Sequence, residues 1–326
     1  MNFALENVII VYLDSAFLHF HGTFSIYISI FNLLSAQMTA ECLERSDMSD
    51  KPIVALMYDF DCTLSPKDMQ EYAFIPGLGM SSDDFWNECT EVARKHNMDR
   101  ILAYMLVMLE KSRGKLLLTK DSITALGKDV QLFPGVDTWF SRVNAYAESK
   151  GMQCEHYILS SGIKEIIEGT SIAHEFKGIY AASFCYDESG VPFWPAMALN
   201  YTSKTQFMFR INKGILDVTR DRELTQYTPE DRRRVPFRNM IYVGDGMTDV
   251  PCMKLAKTRG GRSIAVYQEG HREVAEELIK RDRVDFVAPT DYSAGSDMET
   301  IVFELIDQMA ATDKLVSRHI SNLQEN

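Results

Sequence analysis

The sequence contains no apolar run long enough to cross a bilayer, no CxxC pair and no HExxH motif. The apolar stretches at residues 8–13 and 24–34 both fall short of the ~20 uninterrupted apolar residues that a transmembrane helix needs. The six cysteines are scattered without the spacing of a zinc site or a disulfide framework, which indicates free thiols in a reducing compartment. We therefore expect a cytoplasmic protein without stable membrane association.

The sequence also lacks positive charge, with 34 Lys and Arg against 46 Asp and Glu and a formal net charge of −12. This balance argues against nucleic acid or an anionic membrane as a partner, since both require a basic surface. The basic run at residues 232–234 is flanked by acidic residues and favours a solvated loop or helix end over a binding patch. An acidic protein can still bind a phosphorylated metabolite if a metal ion and one or two local cations reverse the field.

The first 47 residues differ in character from the rest of the chain. Their start offers Asn2 and Glu6 where a signal peptide would have a basic region. Three interpretations remain open: an anchor or targeting segment, a poorly packed extension, and a translation start assigned upstream of a true start at Met48. The predicted folded part of the chain therefore begins at residue 48.

A change of hydrophobic period marks the organisation of the remaining chain. Residues 53–58 form a continuous apolar run, which is typical of a central parallel strand buried on both faces. Residues 83–94 and 100–110 have apolar spacings of three and four, which predict amphipathic helices, with Ser81 or Ser82 as the N-cap. Residues 68–130 are therefore predicted to be a helical insert.

Helices and strands alternate again from residue 133. The pattern predicts strands at 156–159, 179–186, 191–194, 240–243, 263–267 and 284–287, and helices at 136–150, from 163, and at 203–216, 273–280 and 299–317. Such alternation implies right-handed crossovers and an α/β fold, a Rossmann-like parallel sheet flanked by helices.

Two carboxylates, Asp59 and Asp61, follow the first predicted strand. Both can point into one crevice at the strand's carboxyl end, where their mutual repulsion requires a cation or a shared proton. Taken alone, this pair is equally consistent with an Asx-rich loop that caps the next element.

Three downstream features favour a site over a loop. Ser160, Ser161 and Gly162 end a predicted strand and offer a hydroxyl and backbone amides to an oxyanion. Lys204 stands at a predicted helix start, with Lys213 as a less favoured alternative cation.

The third feature is the segment from Gly244 through Asp245 to Asp249, which brings two more carboxylates to the end of another strand. Together with Asp59 and Asp61 they form the hard, oxygen-rich pocket that Mg²⁺ selects.

In this order, these features resemble the four motifs of the haloacid-dehalogenase-like (HAD) superfamily. The first is Asp59-x-Asp61-x-Thr63, the second the strand ending at Ser160, the third Lys204, and the fourth Gly244-Asp245-x-x-x-Asp249. The resemblance spans about residues 52–290. The long helical insert is similar to phosphoserine-phosphatase-like members, and it implies a core of residues 48–67 and 131–326 with an α-helical cap at 68–130.

The resemblance also implies a role for each residue. Asp59 is implied to be the nucleophile that forms an aspartyl-phosphate, and Asp61 the general acid/base. Mg²⁺ is implied to be bound by Asp59, the Asp61 carbonyl and Asp245, with Asp249 ordering a water there. The phosphate-binding set is implied to be Thr63, Ser160, Ser161, Gly162 and Lys204.

Two positions depart from the family pattern. Cys62 stands where the family most often has glycine, either as a small filler or as a redox-sensitive thiol. Asp68 falls near an acidic residue that binds the substrate amine in phosphoserine phosphatases, but the residues after it do not match.

The resulting functional prediction is an Mg²⁺-dependent phosphatase that hydrolyses a small phosphorylated metabolite. A phosphomutase or phosphotransferase with the same nucleophile remains an alternative. A catalytically inactive binding protein is a second alternative, disfavoured because all the carboxylates and Lys204 are retained. The sequence does not indicate the physiological substrate or the oligomeric state.

Overall fold

The structure, a computed structural model, describes residues 51–324. From Lys51 onward the chain forms one compact unit. The predicted extension at residues 1–47 lies outside the described residues, together with Cys42. The remaining cysteines are free thiols, as predicted.

A seven-stranded sheet forms the centre of this unit, in the order β4-β3-β2-β1-β5-β6-β7. All neighbouring strands are parallel except β3 and β4, which form the predicted hairpin. The predicted α/β fold with a Rossmann-like parallel sheet is confirmed. The strands are β1 (Ile53–Tyr58), β2 (Gln153–Ile163), β3 (Phe176–Tyr186), β4 (Pro192–Met197), β5 (Met240–Gly244), β6 (Arg262–Tyr267) and β7 (Phe286–Pro289).

Helices connect the strands and cover both faces of the sheet. They are α1 (Phe74–Gly77), α2 (Ser82–His96), α3 (Arg100–Ser112), α4 (Lys120–Ala125), α5 (Val136–Ser149), α6 (Lys164–Glu168), α7 (Lys204–Lys213), α8 (Asp221–Thr225), α9 (Val250–Thr258), α10 (Glu273–Lys280) and α11 (Asp297–Gln324). Helix α2 begins after Ser81, whose side chain accepts a hydrogen bond from the Asp84 amide, so Ser81 is the N-cap of the two candidates. Among residues 51–324, we find no helix with both the length and the apolarity that a membrane span requires.

Strand β1 occupies the middle of the sheet, and all six of its side chains are buried. Val54, Leu56 and Tyr58 join one hydrophobic cluster, while Ala55 and Met57 join a second on the opposite face. This is the period of two expected of an extended strand. The chain leaves β1 toward β2 and β3 and later returns to its other side with β5, so the carboxyl ends of β1 and β5 meet at a topological switch point.

The helical segment at residues 68–130 lies between β1 and β2 in the chain. Its residues Phe85, Tyr104 and Met108 belong to the same hydrophobic cluster as Val54 and Leu56. The segment therefore shares its core with one face of the sheet. The predicted division into cap and core at residues 68 and 130 stays a prediction.

Several predicted boundaries were wrong. Strand β2 continues past residue 159 to Ile163 because Ile163 pairs with Ala182 of β3. Helix α7 ends at Lys213 because Gly214 adopts a left-handed conformation with φ of 75°. Strand β7 lies two residues later than predicted. Helix α11 continues to Gln324, since no glycine or proline interrupts it.

Candidate active site

A tight turn follows β1 and carries the first predicted motif. The Phe60 carbonyl accepts hydrogen bonds from the amides of Thr63, Leu64 and Ser65 at 3.3, 2.9 and 3.1 Å. The Asp59 amide still pairs with the Val243 carbonyl of β5 at 2.9 Å, so the turn begins at the edge of the sheet. Asp59 is consequently held at the switch point, with its side chain almost fully buried.

Cys62 occupies the sharpest position of this turn, with φ of 55°. Glycine adopts this left-handed conformation most easily, which gives a physical reason for the glycine that the family most often has here. Burial, reinforced by Asp245 and Asp68, raises the pKa of the Cys62 thiol well above its ordinary value. A protonated thiol is a poor nucleophile, which favours the small filler over the redox-sensitive thiol.

Lys204 is fully buried at the start of α7 and contacts two carboxylates. Its Nζ donates to Asp59 Oδ2 at 2.7 Å and to Asp249 Oδ1 at 2.8 Å. Burial alone would lower the pKa of Lys204, but Asp249 and Asp59 outweigh it and raise the pKa above its usual value. Lys213, the alternative cation, lies at the other end of α7 and donates to the carbonyls of Leu224 and Gln226.

The fourth predicted motif follows β5 and faces the turn after β1. Asp245 Oδ1 accepts a hydrogen bond from Thr63 Oγ1 at 3.3 Å. Gly244 leaves the space that Asp249 occupies, because a Cβ on Gly244 would lie 2.5 Å from Asp249 Cγ. The structure thus brings the ends of β1 and β5 into direct contact.

Asp59, Asp245 and Asp249 form a carboxylate cluster that could hold a metal ion. Each offers an oxygen within 4.8 Å of the others. Burial raises the pKa of Asp59 to about 6 although Lys204 opposes it, and burial together with Asp249 and Asp59 raises the pKa of Asp245 to about 8. One lysine does not neutralise three carboxylates. The residues therefore fit a divalent cation with a preference for oxygen ligands.

The Asp61 carboxylate is not part of that cluster. Its Oδ1 accepts a hydrogen bond from the Met69 amide at 2.9 Å, and its Oδ2 would lie 2.9 Å from a Cβ on Gly162. Burial, then Asp68 and Asp59, raise the pKa of Asp61 well above its ordinary value. A carboxyl group whose pKa is raised by burial suits the role of a general acid. The metal-ligand role predicted for Asp61 through its carbonyl stays a prediction.

The second predicted motif lies in a bulge of β2. The pairing with β3 shifts between Leu159–Tyr180 and Ile163–Ala182, so three residues of β2 lie opposite one of β3. Ser160 is buried in this 160–162 bulge, and its Oγ accepts a hydrogen bond from the Gly162 amide at 3.1 Å. The hydroxyl proton of Ser160 is thereby left to donate to another acceptor.

Three residues at the site were not predicted. The Met69 Sδ accepts a hydrogen bond from the Ile163 amide at 3.2 Å. Tyr104 donates to the Ser161 carbonyl at 2.6 Å, and nothing in its helical spacing indicates this contact. Tyr242 donates to Asp249 Oδ1 at 2.7 Å. A polar atom in the otherwise apolar strand before Asp245 was the available signal for Tyr242.

The sequence matches no protein-family model. It is 28% identical over 282 residues to an uncharacterized protein of Borreliella burgdorferi, an alignment that covers 78% of this chain and 96% of the bacterial one.

Solved structures similar to this chain include a HAD family hydrolase from Salmonella enterica serovar Typhi. It is 17% identical, with a TM-score of 0.47, over 70% of this chain and 66% of that one. A substrate-bound phosphoserine phosphatase is 12% identical, with a TM-score of 0.46, over 73% of this chain and 93% of that one. The structure of this chain has the sheet order and the helical segment after β1 described above, with the predicted motif residues at the ends of β1, β2 and β5 and at the start of α7.

Proposed function

We propose that this protein is an Mg²⁺-dependent phosphatase that hydrolyses a small phosphomonoester through an aspartyl-phosphate on Asp59. The supporting observation is the buried arrangement in which Lys204 binds both Asp59 and Asp249 beside Asp245. Charged side chains are rarely buried this deeply without a functional or structural reason, because removing the charges from water is costly. The formal net charge of −12 agrees with a small-molecule substrate.

In the first step, the Asp59 carboxylate attacks phosphorus and the bond between phosphorus and the ester oxygen breaks. Its Oδ1 accepts from the Phe60 amide at 2.7 Å and its Oδ2 accepts from Lys204, which fixes the orientation of the nucleophile. Asp61 donates its proton to the leaving oxygen, which departs as an alcohol.

In the second step, water attacks phosphorus and the Asp59 carboxylate is the leaving group. Asp61, now ionised, accepts the proton of the water and returns to its starting state. Ser160 and Lys204 donate hydrogen bonds to the phosphoryl oxygens in both steps. Asp59, Asp245 and the Asp61 carbonyl, with support from Asp249, would hold Mg²⁺, which would supply positive charge to offset the charge on the transferring group.

The decisive experiment is a phosphatase screen over phosphorylated metabolites with Mg²⁺, comparing the wild type with Asp59→Asn. We expect turnover of at least one monoester, abolished by EDTA and reduced at least ~10³-fold in kcat by the substitution, since the amide is no nucleophile. Asp307→Asn is the matched control, because Asp307 lies on the exposed face of α11, bonded to Tyr146.

Full activity in Asp59→Asn would assign the nucleophile elsewhere. Transfer of phosphate to an added alcohol in preference to water would support the phosphotransferase alternative. A wild type that binds Mg²⁺ and phosphate yet turns over no monoester would support the binding protein.

A further inference from the structure

Two residues from different parts of the helical segment contact the 160–162 bulge and the residue that follows it. Tyr104 of α3 donates its hydroxyl to the Ser161 carbonyl at 2.6 Å. Met69, near the segment's start, accepts the Ile163 amide through Sδ at 3.2 Å. Both side chains are buried.

These contacts matter because β3 does not hold the bulge. The register between β2 and β3 breaks after Leu159 and resumes only at Ile163. Buried backbone groups that leave a ladder need other partners, since an unpaired buried donor or acceptor is costly. For the Ser161 carbonyl and the Ile163 amide, those partners come from residues 68–130.

We propose that Tyr104 and Met69 are positioning residues that clamp the 160–162 bulge in its phosphate-binding conformation. Through the clamp, the conformation of the phosphate site depends on where the helical segment lies. Its effect on ligands rests on the function proposed above, whereas its effect on the bulge itself does not.

The clamp extends to the general acid through Met69. The Met69 amide donates to Asp61 Oδ1 at 2.9 Å, while its Sδ and Cε occupy the space beside Gly162, where a Cβ would lie 2.1 Å from Cε. Movement of Met69 therefore displaces Asp61 and the bulge together. This residue links the proton donor to the loop that binds the phosphoryl group.

The other end of the clamp is fixed by aromatic packing within the helical segment. The Tyr104 ring meets Trp86 of α2 edge-on, with 6.0 Å between ring centroids. Trp86 Nε1 in turn donates to Oε1 of Glu71, two residues after Met69 in the chain, at 3.1 Å. Tyr104 and Met69 are thus connected through the helical segment as well as through the bulge.

The first experiment compares Tyr104→Phe with Tyr180→Phe by hydrogen exchange of the metal-free protein. Both substitutions remove one buried hydroxyl that donates to a backbone carbonyl: Tyr180 pairs with Leu159 through its backbone, but its hydroxyl donates to Leu216 at 3.0 Å and not to the bulge. We expect amides at residues 160–163 to exchange about tenfold faster in Tyr104→Phe and unchanged in Tyr180→Phe. Equal exchange in the two variants would overturn the clamp, whatever the activity of the protein.

The second experiment measures inorganic phosphate binding in the presence of Mg²⁺ by calorimetry. We expect Tyr104→Phe to weaken binding about tenfold and to raise KM more than it lowers kcat, with Tyr180→Phe close to wild type. Phosphate binding unchanged in Tyr104→Phe would contradict the clamp while leaving the proposed function standing. A wild type without phosphate binding would instead contradict the proposed function.

Met69→Leu provides a second test that keeps the side-chain volume and removes the sulfur acceptor. The clamp predicts faster exchange of the Ile163 amide in this variant as well. Wild-type exchange in Met69→Leu, at unchanged thermal stability, would show that Met69 only fills space.

Discussion

At the scale of single residues, one hydrogen-bonded chain connects the second carboxylate of the fourth motif with the proposed nucleophile. Tyr242 donates to Asp249 Oδ1, which also accepts from Lys204, and Lys204 donates to Asp59 Oδ2. Tyr242, Asp249 and Lys204 are fully buried. In a site this deeply buried, each donor strongly fixes the orientation of the carboxylate to which it donates.

We expect Tyr242→Phe to weaken Mg²⁺ binding at least ~10-fold, because Asp249 loses one of its three donors and keeps only Lys204 and the Gly246 amide. The free energy of unfolding should fall by about 1.5–3 kcal/mol, the range for a hydrogen bond to a charged group. Calorimetric Mg²⁺ titration and chemical denaturation measure the two effects.

Tyr146→Phe is the control for this substitution, since Tyr146 donates to Asp307 on an exposed surface. It should leave both quantities nearly unchanged. Wild-type Mg²⁺ affinity in Tyr242→Phe would show that Lys204 and the Gly246 amide suffice to orient Asp249.

At the scale of elements, the bulge in β2 depends on a glycine. A Cβ on Gly162 would approach Met69 Cε to 2.1 Å and Asp61 Oδ2 to 2.9 Å. The methionine can rotate away, but it then leaves the Ile163 amide without its acceptor. Close packing between the bulge and the turn after β1 therefore restricts this position to glycine.

We expect Gly162→Ala to lower the free energy of unfolding by about 1–3 kcal/mol through overpacking and to reduce kcat/KM at least ~10-fold by displacing Asp61. Gly77→Ala is the matched control, because a Cβ at Gly77 makes only an ordinary contact of 3.4 Å with Leu116. Thermal denaturation and steady-state kinetics test the pair. A Gly162→Ala variant with normal kinetics would refute the close approach.

At the scale of the whole molecule, the uncompensated carboxylates link stability to pH and to metal. The pKa values of Asp59 and Asp245 are raised to about 6 and about 8, from an ordinary 3.8. The folded state thus binds more protons than the unfolded state in that range, so stability falls as pH rises toward 8. Buried His156 acts oppositely, because its pKa is lowered to about 3 and its contribution is lost only as pH falls below about 6.5.

We therefore expect the metal-free protein to lose thermal stability between about pH 6.5 and pH 8, because Asp245, with its pKa raised to about 8, gives up its proton there in the folded state, whereas an unfolded carboxyl group is already ionised. Mg²⁺ should restore it, by about 2.7 kcal/mol at a hundredfold excess over Kd. Thermal melts with EDTA or Mg²⁺ across this range test both statements. Asp245→Asn should flatten the pH dependence and remove the Mg²⁺ effect, and a metal-free melting temperature that rises toward pH 8 would contradict the assignment.

The sequence predicted helices and strands best where the apolar character of a segment and the spacing of its apolar residues indicate the same structure. The run before Asp59 predicts β1 with its observed bounds, because a strand buried on both faces is apolar at every position. Helix α2 and its N-cap could also be predicted, since amphipathic spacing and a serine N-cap are local signals. Boundaries that depend on long-range strand pairing, such as the end of β2 at Ile163, could not be predicted.

The sequence by itself determined the α/β fold and named Asp59, Asp61, Lys204, Asp245 and Asp249, because their types and order along the chain carry that information. Only the tertiary structure decided which groups meet. It paired Lys204 with both Asp59 and Asp249, placed Asp61 against Met69, and brought Tyr104 from a distant helix onto the 160–162 bulge. These contacts join residues up to 145 positions apart, between Asp59 and Lys204, and they depend on the order of strands in the sheet, which no local pattern encodes.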